Sequence, residues 1–109
     1  MTAPSSDKAA IRQIIRALRK ADHVITGGHD GEDFFEVAPD VSEDVLIDEH
    51  LMVCDDSTLH VTLPPAEGKV TRESSFVYFV LGNDPEEVAC DYGVTLEPVL
   101  GPLTRSWWD

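Results

Sequence analysis

Ser75-Phe76-Val77-Tyr78-Phe79-Val80-Leu81 is the stretch that decides the fold class. It contains the longest uninterrupted apolar run of the chain, Phe76 to Leu81, and its density of Phe, Val and Tyr predicts a central strand that anchors a sheet. Upstream, Leu59 to Leu63 and His50 to Cys54 read as two further strands, joined by Asp55-Asp56-Ser57-Thr58, whose side chains suit a tight turn. Pro64-Pro65-Ala66-Glu67-Gly68 then reads as the loop leading into the anchoring strand. Nearer the N-terminus, His23 to Thr26 predicts a short strand, Gly27-Gly28-His29-Asp30-Gly31 a turn, and Asp33 to Val37 its hairpin partner, ended by Pro39. Asp40 to Glu49 stays open, because Val41, Val45 and Leu46 permit a helical turn while Val45-Leu46-Ile47 equally permits the start of a strand.

Helical spacing appears at both ends of the chain. Ser6 or Asp7 is a fitting N-cap, and Ile11, Ile14, Ile15, Leu18 and Ala21 form an apolar stripe, which together predict an amphipathic helix over Asp7 to Ala21. Its other face carries Lys8, Arg12, Arg16 and Lys20 at intervals of four. Such a stripe solvates a helix, meets an anionic partner, or meets the acidic part of its own chain. Downstream, Asn83 or Asp84 as cap, Pro85 at the first position and Glu86-Glu87 in the first turn predict a helix ending near Tyr92-Gly93. Thr95 to Leu103 predicts a last short helix, although Pro98 and Gly101 disfavour it. The expected fold is a single α+β domain of 109 residues. It comprises an antiparallel meander of about five short strands, an N-terminal amphipathic helix and one or two C-terminal helices, with the helices on one side.

Composition narrows the class. Hydrophobic residues make up 42% and charged residues 27%, ordinary globular usage, so the chain is expected to fold despite a net charge of -13. Ser5-Ser6-Asp7-Lys8 leads straight into arginine-studded sequence with no apolar core of a signal peptide, and no apolar run approaches the roughly 20 residues that span a bilayer. The expectation is a soluble protein of the cytoplasm, neither secreted by that route nor integral to a membrane. Cys54 and Cys90 each sit in an apolar stretch, which predicts two reduced, buried thiols rather than a disulfide.

The charge is unevenly placed. Between Ala21 and Gly68 lie 13 of the 21 acidic residues and no Lys or Arg, so this segment accounts for the whole net charge. The rest of the chain balances, and five of the eight cations fall within the first twenty positions.

The motifs that carry chemistry are sparse. Gly27-Gly28-x-x-Gly31 lacks the following helix and the lysine of a phosphate cradle, and leads into a strand loaded with acid. His23, His29, Asp30, His50, Asp55, Asp56 and His60 are metal-binding or acid–base residue types, but their spacing matches no signature. The cysteines lie in contexts that raise a thiol pKa, and no serine sits in a nucleophile elbow. No catalytic residue, metal or cofactor is expected; a small metal-dependent enzyme would require His29, Asp30, His50 and His60 to converge. Trp107-Trp108 predicts either packing of the tail on the core or an exposed anchor for a partner.

A charge of -13 opposes direct nucleic-acid binding. It suits the opposite role. Side chains on one face of a strand repeat at roughly 6.6 Å and two nucleotides advance roughly 6.8 Å, so rows of carboxylates can imitate phosphates and occupy a basic DNA-binding surface. The candidate contacts are Asp30, Glu32, Asp33, Glu36, Asp40, Glu43, Asp44, Asp48, Glu49, Asp55 and Asp56.

Gly82-Asn83-Asp84-Pro85-x-x-Val88-x-x-Asp91-Tyr92-x-x-x-Leu96-Glu97 resembles a pattern of small phage and prophage proteins. With small size and marked acidity, the chain is similar in type to phage-encoded inhibitors of bacterial defence, among them the anti-CRISPR proteins of type I systems. The resemblance implies a stoichiometric inhibitor, working in a bacterial host, that docks on a basic surface of the target-recognition complex and blocks DNA. It transfers no catalytic residue, and Pro85, Tyr92 and Leu96 are read as structural. The alternative expectation is a non-enzymatic phage accessory or assembly protein that binds through its apolar C-terminal segment.

Overall fold

A computed structural model describes residues 3–64 and 73–108. Its elements are helix α1 (Asp7–Lys20), strands β1 (Val24–His29) and β2 (Phe34–Glu36), a short helix α2 (Glu43–Leu46) continued by a π turn (Ile47–Leu51), strands β3 (Asp56–Thr62), β4 (Ser74–Val80) and β5 (Ala89–Tyr92), and helix α3 (Glu97–Ser106). Single 3-10 turns at Pro85–Glu87 and Val94–Leu96 flank β5. The fold is α+β, as the periodicities predict.

The five strands form one antiparallel sheet in the order β2-β1-β3-β4-β5. Adjacent strands pair in sequence except at one place. The chain leaves the β1–β2 hairpin, passes through α2 and the π turn, and returns on the far side of β1 to lay down β3.

Alternation fixes which face is buried. Ile25, Leu59, Val61, Val77 and Phe79 point inward and are essentially inaccessible, against Ile11, Ile14, Ile15 and Leu18 of α1, Leu46, Ile47 and Leu51 of the α2 region, and Leu100, Leu103 and Trp107 of α3. The helices share that side, and no described element packs on the other. α1 begins where predicted, with the Ser6 hydroxyl accepting the Ala9 N–H at 3.1 Å.

Several expectations are corrected. His50–Cys54 is not a strand: it closes the π turn and the bend after it, and Leu51 is buried one turn on from Ile47. The strand instead starts at Asp56, inside the predicted turn. Ser57, Leu59 and Val61 alternate inward, and the buried Ser57 hydroxyl is satisfied by donating to the Leu51 carbonyl at 2.9 Å. The predicted helix after Asp84 stops after one 3-10 turn, and Ala89–Tyr92 becomes β5. The free backbone edge of β4 outweighs the local helix-start signal, because those peptide groups need partners. The open segment Asp40 to Glu49 forms α2 and most of the π turn, capped by Ser42, whose hydroxyl accepts the Val45 N–H at 3.1 Å. The last helix does form, with Pro98 in its first turn, where a missing N–H is harmless. The loop predicted from Pro64 to Gly68 lies, beyond Pro64, outside the described residues.

The predicted glycine turn also moves, because β1 continues through Gly27 and Gly28 to His29 and the reversal is made by Asp30–Asp33. Glycine is required at both positions by close approach: a Cβ on Gly27 would stand 2.1 Å from the Phe35 carbonyl oxygen, and one on Gly28 1.9 Å from that of Thr58. Gly27→Ala should therefore lower stability by more than about 1 kcal/mol, read from the midpoint of urea unfolding.

Candidate functional site

The basic stripe of α1 meets its own acidic segment. Arg16 holds Glu43 through two bonds, from Nε at 2.6 Å and from Nη2 at 3.0 Å, which raises the Arg16 pKa further. Arg12 bonds Asp44 at 2.7 Å and also faces Glu43 at 3.7 Å, and Lys8 bonds Asp48 at 2.9 Å. Arg19 adds a bond of 2.6 Å to the Val41 carbonyl. These contacts pin α2 and the π turn along α1 as a seam, and three of the eleven candidate carboxylates are engaged there.

A second group gathers at one end of the sheet. Asp30 opens the β1–β2 turn, and its Oδ1 accepts the backbone N–H groups of Glu32 and Asp33, each at 2.8 Å. Those bonds, Asp33's first, hold the Asp30 carboxyl below the usual carboxylate range, with smaller contributions from His29 and His50. Gly31 in the same turn lies against Cys54, where an added Cβ would come within 2.6 Å of the cysteine Cβ. Asp55 and Asp56 follow directly in sequence. Partial burial pushes the Cys54 thiol up, and the negative charges of Glu32, Asp30, Asp56 and Asp55 push it further. Four carboxylates from two separate segments thus act on one thiol, at the place where the Asp30–Asp33 turn lies against Cys54. Asp56 accepts the Tyr78 hydroxyl at 2.9 Å, which raises the tyrosine pKa.

Glu36 on β2, Asp40 in the following loop and Glu49 in the π turn are exposed and belong to neither group. Among the described residues, none of these three and none of the five carboxylates at the sheet end forms an ion pair. Only Glu36 and Asp56 of the eleven lie on strands, so carboxylate spacing is set by two tight turns and not by the strand repeat.

Of the other candidates, His29 and His50 lie near Asp30, and His23 and His60 lie elsewhere. His23 is buried beside the end of α1, with a ring nitrogen 3.1 Å from the Ala21 carbonyl. His29 accepts the Gly31 N–H, His50 stacks on Phe35 at 4.1 Å, and His60 lies on the open sheet face. Among the described residues no three His, Cys, Asp or Glu side chains are arranged to hold a metal ion. The cysteines are free, but Cys90 is exposed where β5 bulges against β4, and Cys54 is only half-buried, which corrects the expectation of two buried thiols. The tryptophans divide: Trp107 is buried, its indole N–H donating to the Gln13 side chain at 3.1 Å, while Trp108 is 63% exposed. Tyr92 packs on the core and donates to Glu97 at 2.6 Å, and Leu96 is buried, both structural roles. No helix among the described residues is long and apolar enough to cross a membrane.

The open face of the sheet was not singled out by the sequence reading. Cross-strand pairing sets Glu36, Gly27, His60 and Phe76 in one row, and Phe34, His29, Thr58, Tyr78 and Asp91 in the next. Two clefts flank His60 on this face. One, of about 300 Å³, lies between β2 and β3; the other, of about 370 Å³, lies towards Phe76. The signal was the alternation Asp56, Thr58, His60, Thr62, obscured by reading its first half as a turn.

Comparison with protein-family models, with curated proteins and with solved structures finds no match. Function therefore has to be read from the site.

Two outcomes follow from the charges. Glu43→Gln should cost at most about 1 kcal/mol, as exposed pairs do. The loss should fade between about 0.01 M and about 1 M salt, as the screening length falls from about 30 Å to about 3 Å; urea midpoints at both salts check this. Because the folded Asp30 pKa is depressed, its contribution is present above the ordinary carboxylate range and is lost as pH falls through the folded value. The stability deficit of Asp30→Asn should therefore be full near neutral pH, begin to shrink as pH falls below the ordinary carboxylate pKa of about 4, and be lost only below the folded value.

Proposed function

We propose that this chain acts by binding, presenting the acidic end of its sheet to a basic, DNA-binding surface of another protein and keeping DNA from that surface. The observation that supports the reading is the division of the carboxylates. Glu43, Asp44 and Asp48 are already engaged by α1, whereas Asp30, Glu32, Asp55 and Asp56 lie around Cys54 from two separate segments, and neither they nor Asp33 has a cationic partner among the described residues. Asp30 and Asp56 are held by hydrogen bonds, so these two of the five carboxylates are ordered before the chain meets a partner. A compact group of like charges steers a basic partner to it and makes association fast and salt-sensitive.

The resemblance of the Gly82 to Glu97 pattern to phage-encoded inhibitors makes the DNA-recognition complex of a type I CRISPR system, in a bacterial cytoplasm, the first target to test. Glu32→Lys, Asp33→Lys and Asp55→Lys together should weaken inhibition of DNA binding by at least about tenfold, equivalent to about 1.4 kcal/mol, with the circular dichroism spectrum unchanged. Full inhibition by a folded triple variant would sink the reading.

The exposure of Trp108 favours a second reading, an accessory protein that joins an assembly through its C-terminal end. Trp108→Ala separates the two, because it should abolish that assembly while leaving acidic binding intact.

A further inference from the structure

We infer that the cleft over Gly27 on the open sheet face receives an arginine side chain of the basic partner; this rests on the binding function proposed above and names the residue chemistry the partner must bring. The row Glu36–Gly27–His60 has backbone alone at its middle, and Gly27 and Gly28 are among the residues lining the cleft of about 300 Å³. Thr26 and His60 form one side and Phe34 and Glu36 the other. Phe34 is 78% exposed, an unusual position for a large apolar ring. It is held in place by an edge contact with His29 at 4.8 Å and lies 6.3 Å from the His60 ring.

A planar guanidinium suits this arrangement better than other occupants. It can lie on an aromatic ring while its N–H fork reaches a carboxylate, here Phe34 and Glu36, and lysine's compact ammonium does this less well. The charge of the face agrees: its rows contain Glu36 and Asp91, its next position on β3 is Asp56, and no Lys or Arg stands on any of the five strands. That absence disfavours a phosphate backbone as occupant, and the same carboxylates set against themselves disfavour a second copy of the chain. The lining is too polar for a purely apolar ligand.

The test is a titration of the full chain, followed by amide chemical shifts at low salt, with a decapeptide of arginine and one of lysine. The arginine peptide should bind about two- to fivefold more tightly and shift the amides of Gly27, Gly28 and His60. Phe34→Leu, which keeps an apolar side chain at a surface site, should bring the arginine peptide down to the lysine value and leave the lysine peptide unchanged. Equal affinity of both peptides, with shifts confined to Asp30–Asp33 and Asp55–Asp56, would overturn the arginine site and leave the acidic-end reading standing. No binding of either peptide would overturn it too, as would sedimentation showing self-association that Phe34→Leu removes. Failure of the function itself is read separately, from the charge-reversal competition with DNA.

Discussion

The pairing of β3 between β1 and β4 is the constraint on which the rest of the molecule depends. With Leu59 and Val61 turned inward, Asp56, Thr58, His60 and Thr62 must turn outward, and a slip of one residue would exchange the two sets. Burial of Ile25, Val77 and Phe79 on the same side makes such a slip costly. Ser57 is the one polar residue in the inward set, and its bond to the Leu51 carbonyl ties the π turn to the sheet. Through that contact the register of a core strand also positions the segment that carries Asp48 and Glu49.

Electrostatics then separates a single acidic stretch into carboxylates paired with α1 and carboxylates left without a cation. α1 carries nearly all the described cations and packs beside the α2 region, so the carboxylates within its reach become structural. Those displaced to the far turns keep their field. Part of the excess charge is therefore grouped at the end of the sheet, a stronger feature than the same charges dispersed, because field strength at close range depends on how tightly charges are grouped.

Much of this was readable beforehand. The cap and stripe of α1, the hairpin at β1 and β2, the body of β4 and the sum of charge all follow from local pattern, and each survives because packing agrees with propensity. The failures have a common cause. At Ala89–Tyr92 a strong helix start loses to an unpaired strand edge, which is invisible until β4 has been placed. At His50–Cys54 an apolar run is consumed by a helical turn because Leu51 can be buried against β3. The convergence of Asp30–Asp33 on Cys54–Asp56 is likewise tertiary. The sequence shows the residues but not that a hairpin turn would come to rest against a bend more than twenty positions later.

The contrast between Trp107 and Trp108 gives the molecule two built-in optical reporters. The buried indole, bonded to Gln13 across the α1–α3 contact, emits from an apolar setting, while its exposed neighbour emits from water. Loosening of the helices would redshift the first without touching the second, and anything covering the C-terminal end would alter the second first. Core integrity and surface occupancy can thus be followed separately by intrinsic fluorescence, without attaching a dye.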